Sequence, residues 1–175
     1  MPDLNAVFRA RTTFRDFNAG DVLDVRPGLS VATTALRHPG NATGYRLGWG
    51  QTNLCYVTDT EHPPEGLDEN LAEFVAGSDL LIYDASYTDA EYQTRIGRGH
   101  STWQAAARLA DVAAVGRLVL FHHDPDHDDD AMDARFVHER GGEDGVLARR
   151  RCERLDDDRV AGNARARCDL RHLLG

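Results

Sequence analysis

The sequence predicts an α/β fold built on a mixed β-sheet, and three observations support that prediction. Strand-like and helix-like segments alternate from residue 52 to residue 122, which is typical of parallel neighbouring strands with helices packed on them. Short β-type runs separated by turn residues come before this region and indicate an antiparallel part. Two later strands are apolar almost throughout, as expected for strands covered on both faces.

The antiparallel part is punctuated by two turn signals. Arg26-Pro27-Gly28 separates the first two runs and predicts a hairpin, because proline fixes φ and glycine accepts a positive φ. Gly48-Trp49-Gly50 is expected to form the next turn. The predicted strands are residues 22–25, 29–36, 44–47 and 52–58.

Helices and apolar strands follow in alternation. The first helix, at 67–76, is expected to end at Gly77 as its C-cap. Ser101 and Gln104 have the spacing of a capping box, which predicts the start of a helix over 101–115. The strands, at 79–84 and 117–122, should be central in the sheet.

Length and composition indicate one domain. The chain has 175 residues, of which 41% are hydrophobic and 28% are charged, the usual composition of globular proteins. No apolar run is long enough to cross a bilayer, and charges near the N-terminus interrupt any secretory signal. We therefore expect a cytoplasmic protein with no membrane contact.

Two parts of the chain differ in composition. Residues 1–140 are read as one structural unit, whereas residues 141–175 are rich in arginine, contain Asp156-Asp157-Asp158 and show no sustained period. We expect this tail to be poorly ordered. A short helix at 131–137 would come just before it.

Charge and cysteine content narrow the function classes. The net charge of −9 comes from 20 basic and 29 acidic residues and disfavours nonspecific attraction to nucleic acid, although it leaves room for a local basic patch. Cys55, Cys152 and Cys168 are odd in number and lack zinc-ribbon spacing, which argues against a disulfide framework. Cys55 is expected to be a small side chain in a core strand.

Metal-competent side chains follow the predicted strands. Asp59, Asp84 and His122 each stand where a parallel strand ends, and such ends meet at one edge of the sheet. His38 terminates the strand that begins at residue 29 and can join them. Aspartate and histidine are ligands of zinc and similar ions, so this edge is a candidate metal site. The alternative is that these residues only cap helices or form turns.

Five segments resemble the later motifs of the metallo-β-lactamase superfamily, in that family's order. They are most similar to the phosphodiesterase branch, which includes tRNA 3′-end processing endonucleases and cyclic phosphodiesterases. The resemblance covers about residues 17–138 and implies an αββα sandwich. The segments are His38-Pro39-Gly40-Asn41-Ala42-Thr43-Gly44-Tyr45-Arg46, Thr58-Asp59-Thr60, Leu80-Leu81-Ile82-Tyr83-Asp84-Ala85, Gly99-His100-Ser101-Thr102 and Leu118-Val119-Leu120-Phe121-His122-His123.

The resemblance implies a metal-dependent hydrolase that cleaves phosphodiester bonds through a metal-bound hydroxide. His38 would bind a first metal ion, Asp59 would bridge two ions, and His122 would bind the second. The ions would be zinc, with manganese or iron as alternatives. His100 would act catalytically beside the scissile phosphate, as a proton donor or a phosphate ligand. The substrate would be a small phosphodiester or a nucleotide-type molecule.

Three further side chains have supporting roles in this interpretation. Asp84 is expected to orient a ligand histidine, with capping of the following loop as the alternative. His123 and His127 belong to a run rich in histidine and aspartate and are named as reserve ligands. The same run also suits the acidic N-terminus of the helix predicted at 131–137.

The family's most specific motif, His-x-His-x-Asp-His, does not occur in the sequence. The chain is therefore expected to form a partial sandwich, the C-terminal half, with a mixed sheet, packed helices and an exposed apolar sheet face. That face would be covered by a second copy of the chain or by a complementary N-terminal half.

Three functional hypotheses remain open. The first is a phosphodiesterase-like hydrolase that is impaired as an isolated chain. The second is a non-catalytic truncated remnant or a self-associating interaction module. The third is a mononuclear site of His38, Asp59 and His122, completed by His123 or His127.

Overall fold

One six-stranded sheet forms the centre of the molecule in the computed structural model, which describes residues 13–128. The strands are β1 (Val22–Arg26), β2 (Leu29–Ala35), β3 (Thr43–Trp49), β4 (Thr52–Val57), β5 (Leu80–Asp84) and β6 (Leu118–Phe121). The helices are α1 (Glu69–Val75), α2 (Asp89–Tyr92) and α3 (Trp103–Val112). The helix expected at 131–137, the tail at 141–175, Cys152 and Cys168 lie outside the described residues.

The sheet is mixed, as the sequence predicts. Strands β1 to β4 pair antiparallel in chain order, and β4, β5 and β6 pair parallel. Helix α1 connects β4 to β5, and α3 lies between β5 and β6. The carboxyl ends of the three parallel strands therefore share one edge of the sheet.

The turn predicted at Gly48-Trp49-Gly50 lies elsewhere. Strand β3 continues through Trp49, and the turn is Gly50-Gln51, where Gly50 has a φ of 61°. Gly48 instead pairs with Ser30 and Asn53 inside the sheet. A Cβ at residue 48 would lie 2.8 Å from the Ser30 Oγ, so this glycine relieves crowding between strands and does not form the turn.

The capping box predicted at Ser101 is also wrong. Thr102 is the N-cap of α3, and its side chain accepts a hydrogen bond from the Ala105 amide at 3.0 Å. Ser101 is held by other partners, because its amide donates to Asp84 at 3.1 Å. The N-cap of α3 therefore lies one residue later than predicted. At the start of α2, Thr88 forms a capping box with Glu91 that was not predicted.

The helices cover one face of the sheet. Core side chains of β4, β5 and β6 pack there against α1 and α3, and the fully buried Cys55 is among them, as expected. Helix α1 ends at its C-cap Ala76, one residue before the predicted Gly77, which follows with a φ of 60°. No described helix combines the length and apolar character that crossing a bilayer requires; a cytoplasmic location stays a prediction.

The opposite face of the sheet carries a second set of apolar side chains. Tyr56, Ile82 and Val119 share this face by strand pairing and are partly exposed. The rings of Tyr56 and Phe121 lie 6.1 Å apart, and Phe121 is 38% exposed. Within residues 13–128 no second sheet covers this face; that the chain is half of a sandwich stays a prediction.

Candidate metal centre

The carboxyl edge of the parallel strands brings three of the sequence-selected residues together. The Asp59 amide follows β4 and donates to Asp84 Oδ2 at 3.0 Å. His122 follows β6, and its Nε2 lies 3.5 Å from Asp59 Oδ1. The strand ends thus place two carboxylates and an imidazole at one point of the edge.

Two more histidines reach this edge from loops. His38 lies in the loop after β2, three residues beyond the end of the strand, and not at the strand end itself. Its ring centre is 5.6 Å from that of His100. Ligand atoms of His38, Asp59 and His100 lie within 4.8 Å of one another, and so do those of Asp84, His100 and His122.

Asp84 is the organising residue of the edge. It is fully buried at the end of β5, and its carboxylate accepts hydrogen bonds from the amides of Asp59, Ser86 and Ser101 at 3.0, 3.2 and 3.1 Å. Because these amides follow different strands or precede α3, one carboxylate fixes three separate loops. A buried carboxylate requires several donors of this kind.

His100 is oriented by Asp84. Its Nδ1 lies 2.9 Å from Asp84 Oδ2, so Nδ1 carries a proton and Nε2 is left for another partner. The ring stacks on His122 with centres 4.7 Å apart, and the side chain is 20% exposed. The structure therefore bonds Asp84 directly to His100 and, through the Ser86 hydroxyl, to His122; its support of a ligand histidine stays a prediction.

Ser86 orients His122 instead. Its hydroxyl lies 2.6 Å from the His122 carbonyl oxygen and 2.9 Å from Asp84 Oδ1, and either oxygen can take the hydroxyl proton. The Oγ can then accept a hydrogen bond from His122 Nδ1 at 3.2 Å. This tautomer leaves a lone pair on Nε2 that faces Asp59 Oδ1 at 3.5 Å. Two acceptors facing each other suit a shared cation.

Replacing Ser86 with alanine should weaken the binding of Zn²⁺, used as a probe, about 10-fold, because a ligand histidine loses the group that sets its tautomer. Competition with a chelating dye measures this affinity. Ser30→Ala is the matched control, since Ser30 is exposed on β2 and far from the edge in strand order. Equal affinity in the Ser86 variant and the control would contradict the orienting role.

His38 is less ready to bind a metal ion than His122. Its Nδ1 accepts a hydrogen bond from the Gly40 amide at 3.0 Å, so the neutral ring carries its proton on Nε2. The donor set of the edge suits a divalent ion, because it combines imidazole and carboxylate groups. Binding through His38, however, requires that the Gly40 hydrogen bond be given up.

The backbone is strained at Asp59 and at His122. Asp59 and His122 have φ values of 59° and 58°, in the left-handed region that costs a non-glycine residue about 1–2 kcal/mol. Their neighbours hold both conformations, through the Asp59 amide bond to Asp84 and the Ser86 bond to the His122 carbonyl. Strain of this kind is concentrated at functional sites.

Glu61 is an important residue that was not predicted from the sequence. Its carboxylate accepts hydrogen bonds from the amides of Gly97 and Gly99, both at 2.8 Å, and from the Tyr92 hydroxyl at 2.8 Å. Burial opposes ionisation, but these hydrogen bonds and the nearby Arg37 hold the pKa of Glu61 below its ordinary value. Glu61 thereby fixes the loop that leads into His100.

His62 was missed as well. Its Nδ1 lies 2.9 Å from Ser101 Oγ, and its ring lies 4.1 Å from that of Tyr92. Burial lowers the pKa of His62, so the neutral ring is favoured. Position alone offered the signal for both residues, since Glu61 and His62 directly follow Asp59-Thr60.

The reserve ligands do not join either group of ligand atoms in the described part of the chain. His127 lies 2.8 Å from Glu91 through its Nε2. Burial opposes the ionisation of Glu91, yet hydrogen bonds from Thr88 and His127 lower its pKa to about 2. His127 therefore ties the segment after β6 to α2. His123 follows His122 directly and lies outside both groups.

The residues of this edge lie within the part of the chain that matches a known family. The family model described as "Beta-lactamase superfamily domain" matches residues 4–123. Ribonuclease Z of Thermoplasma acidophilum is 38% identical over 85 residues, which are 48% of this chain and 25% of that protein. Ribonuclease Z of a Synechococcus species is 29% identical over 115 residues, 64% of this chain and 31% of that protein. The chain thus spans a quarter to a third of these relatives.

Solved structures show the same fold. The metallo-β-lactamase fold protein YhfI from Bacillus subtilis has a TM-score of 0.61 and 20% identity, covering 81% of this chain and 55% of that one. Human tRNase Z, short form, has a TM-score of 0.51 and 25% identity, covering 59% of this chain and 39% of that one. The predicted α/β fold of metallo-β-lactamase type is therefore confirmed.

Proposed function

Because the chain belongs to the β-lactamase superfamily, we propose that it serves as a metal-dependent hydrolase that cleaves phosphodiester bonds at the edge carrying His38, Asp59, His100 and His122. The observation that carries this proposal is the convergence of these side chains on one edge, where Asp59 Oδ1 lies 3.5 Å from His122 Nε2 and ligand atoms of His38, Asp59 and His100 lie within 4.8 Å of one another. The relatives named ribonuclease Z and the similarity to human tRNase Z support a phosphodiester as the bond that is cleaved.

Asp59 and His122 are the residues best arranged to hold an ion. Their facing atoms are 3.5 Å apart. His38 would add a further imidazole once its Nδ1 gives up the hydrogen bond from the Gly40 amide. We propose zinc, with manganese or iron as alternatives, because the donors are nitrogen and carboxylate oxygen. When bound, such an ion supplies positive charge for phosphate oxygens and lowers the pKa of water.

His100 is the proposed proton donor. Its Nδ1 is engaged by Asp84, so the Nε2 is the atom that faces a substrate. Protonation of the leaving oxygen by Nε2 would follow general-acid chemistry. The stacked ring of His122, at 4.7 Å, keeps this donor next to the proposed metal ligands.

The ligand set needs further donors. His38, Asp59 and His122 do not complete two metal ions, since each ion takes about four ligands. The sequence lacks His-x-His-x-Asp-His, so we propose that a second polypeptide with this motif supplies the rest and covers the apolar sheet face of Tyr56 and Phe121. A purely non-catalytic module is not favoured, because it gives no account of the convergence of these metal-competent side chains on one edge.

Replacing Asp59 with asparagine should abolish Zn²⁺ uptake by the full chain and the hydrolysis of a bis-aryl phosphate by the chain mixed with a complementary polypeptide bearing His-x-His-x-Asp-His. The amide removes the charge and one ligand atom that faces His122. Elemental analysis measures the metal content, and release of the aryl alcohol measures turnover.

Asp111→Asn is the matched control, because Asp111 is exposed on α3, away from the edge. It should keep both metal and turnover. Full metal content in the Asp59 variant would remove Asp59 from the site. Absence of hydrolysis by the wild-type mixture would contradict the proposed activity.

A further inference from the structure

Two arginines lie on the loop that leads into His100. Arg95 and Arg98 belong to residues 93–99, between α2 and the catalytic edge. The guanidinium carbon of Arg95 lies 5.5 Å from the centre of the Tyr87 ring. That ring makes an edge contact with His100, with centres 6.3 Å apart. Tyr87 thus connects Arg95 to the proposed proton donor.

The positive charges of Arg95 and Arg98 both act on Tyr87. Burial raises the pKa of Tyr87. The positive charges of Arg95 and Arg98 oppose that rise, whereas the negative charges of Asp124 and Asp84 add to it. Both guanidinium groups are therefore within electrostatic reach of the Tyr87 hydroxyl.

Two arginines elsewhere in the fold are held by hydrogen-bonding partners in the protein. Arg108 forms an ion pair with Asp89 at 2.8 Å, and Arg46 donates to the carbonyl oxygens of Phe74 and Ala76. Within residues 13–128, no carboxylate lies within ion-pair distance of Arg95 or Arg98. Arg98 is exposed, so its guanidinium is open to a ligand.

The loop that presents the arginines is fixed. Glu61 accepts hydrogen bonds from the amides of Gly97 and Gly99, at 2.8 Å each. The Arg98 amide donates to the Arg95 carbonyl at 3.1 Å and closes a turn between the two arginines. A fixed loop loses little conformational entropy when it binds a ligand, which favours affinity.

We propose that Arg95 and Arg98 form a subsite for a phosphate group adjacent to the one that is cleaved, so that the substrate is a nucleic-acid strand and not an isolated phosphodiester. The planar fork of a guanidinium matches two phosphate oxygens, and a nucleic-acid strand offers a second phosphate beside the scissile one. The cleaved bond in this inference rests on the proposed function, whereas the binding of phosphate by the two arginines does not.

Fluorescence anisotropy with a labelled single-stranded RNA oligomer, in the presence of EDTA, tests the subsite on the full chain without any metal ion. The double variant R95Q/R98Q should bind about 10-fold more weakly or worse, as expected for lost charge-assisted hydrogen bonds. The slope of log K against log salt should fall by about 0.7 for each arginine that contacts a phosphate. Loss of packing alone would not change this slope.

Arg26→Gln is the matched control. The Arg26 guanidinium also lies over an aromatic ring, 4.5 Å from the centre of Trp49, but at the antiparallel end of the sheet. This variant should keep the affinity and the salt dependence of the wild type. Equal losses in both variants, an unchanged R95Q/R98Q variant, or a wild type that does not bind RNA would each overturn the subsite.

Hydrolysis separates the subsite from the proposed function. In the mixture with the complementary polypeptide, R95Q/R98Q should raise the KM for RNA and leave the KM for a bis-aryl phosphate unchanged, because the latter has one phosphate. Weakened RNA binding in this variant together with no hydrolysis by the wild type would retain the subsite and refute the hydrolase. Hydrolysis by the wild type, together with RNA binding that is unchanged in R95Q/R98Q, would retain the hydrolase and refute the subsite.

Discussion

Replacing Asp84 with alanine should lower the free energy of unfolding by about 3–5 kcal/mol, the largest effect expected of any single substitution at the edge. The carboxylate is fully buried and accepts from the amides of Asp59, Ser86 and Ser101. Alanine leaves these donors without an acceptor, and each unsatisfied buried donor costs about 1–3 kcal/mol. Denaturant unfolding followed by circular dichroism measures the loss.

Asp79→Ala is the matched control for this substitution. Asp79 is exposed next to β5, and its carboxylate accepts from the Asn53 amide at 2.6 Å. Losing that bond should cost about 1 kcal/mol. If the two alanine variants were equally stable, Asp84 could not be the residue that holds the three loops together.

The same substitution should change His100 even where the chain stays folded. With Asp84 absent, the Nδ1 of His100 loses its acceptor at 2.9 Å, so the ring is free to adopt either tautomer. Nitrogen chemical shifts of His100, measured by NMR below the unfolding transition, report the tautomer directly. A fixed tautomer in Asp84→Ala would show that another group orients the ring.

The sheet could be predicted well from the sequence because its signals are local. Apolar runs such as Leu80–Asp84 and Leu118–Phe121 have the composition of buried strands, and the shared direction of parallel strands brings Asp59, Asp84 and His122 to one edge whatever their side chains do. Topology alone therefore yields the approximate position of the site.

The hydrogen-bond partners of the residues at this edge could not be predicted, because they depend on how closely separate loops approach one another. Asp84 is bonded directly to His100, and Ser86 lies between Asp84 and His122. Ser101 was expected to cap α3, but its amide is used by Asp84 and Thr102 caps the helix. A local spacing rule cannot detect a competing long-range acceptor.

Glu61 illustrates the same limit. Its three donors, Gly97, Gly99 and Tyr92, are 31 to 38 residues away in sequence. Nothing in the run Asp59-Thr60-Glu61 distinguishes a carboxylate that fixes a distant loop from one that is solvated. The residue becomes visible only when the loop that precedes His100 is in place.

Gly99→Ala should disrupt the contact between His38 and the loop before His100, and it has the second-largest expected effect. A Cβ at residue 99 would lie far inside van der Waals distance of His38 Cδ2 and 2.6 Å from Pro39 Cδ. The backbone also has a φ of 86°, which costs alanine about 1–2 kcal/mol. Overpacking adds about 1–3 kcal/mol, and displacement of His38 should weaken Zn²⁺ binding.

Gly97→Ala separates these two causes, because Gly97 has the same φ of 86° with nothing within 4 Å of the added Cβ. Both glycines also donate their amides to Glu61. Gly97→Ala should therefore show the conformational cost alone and keep its Zn²⁺ affinity, whereas Gly99→Ala should lose more stability and about 10-fold in Zn²⁺ affinity, the size of loss that a displaced metal-site group causes. Equal Zn²⁺ affinities in the two variants would mean that His38 does not hold the ion, and the site would then depend on Asp59 and His122.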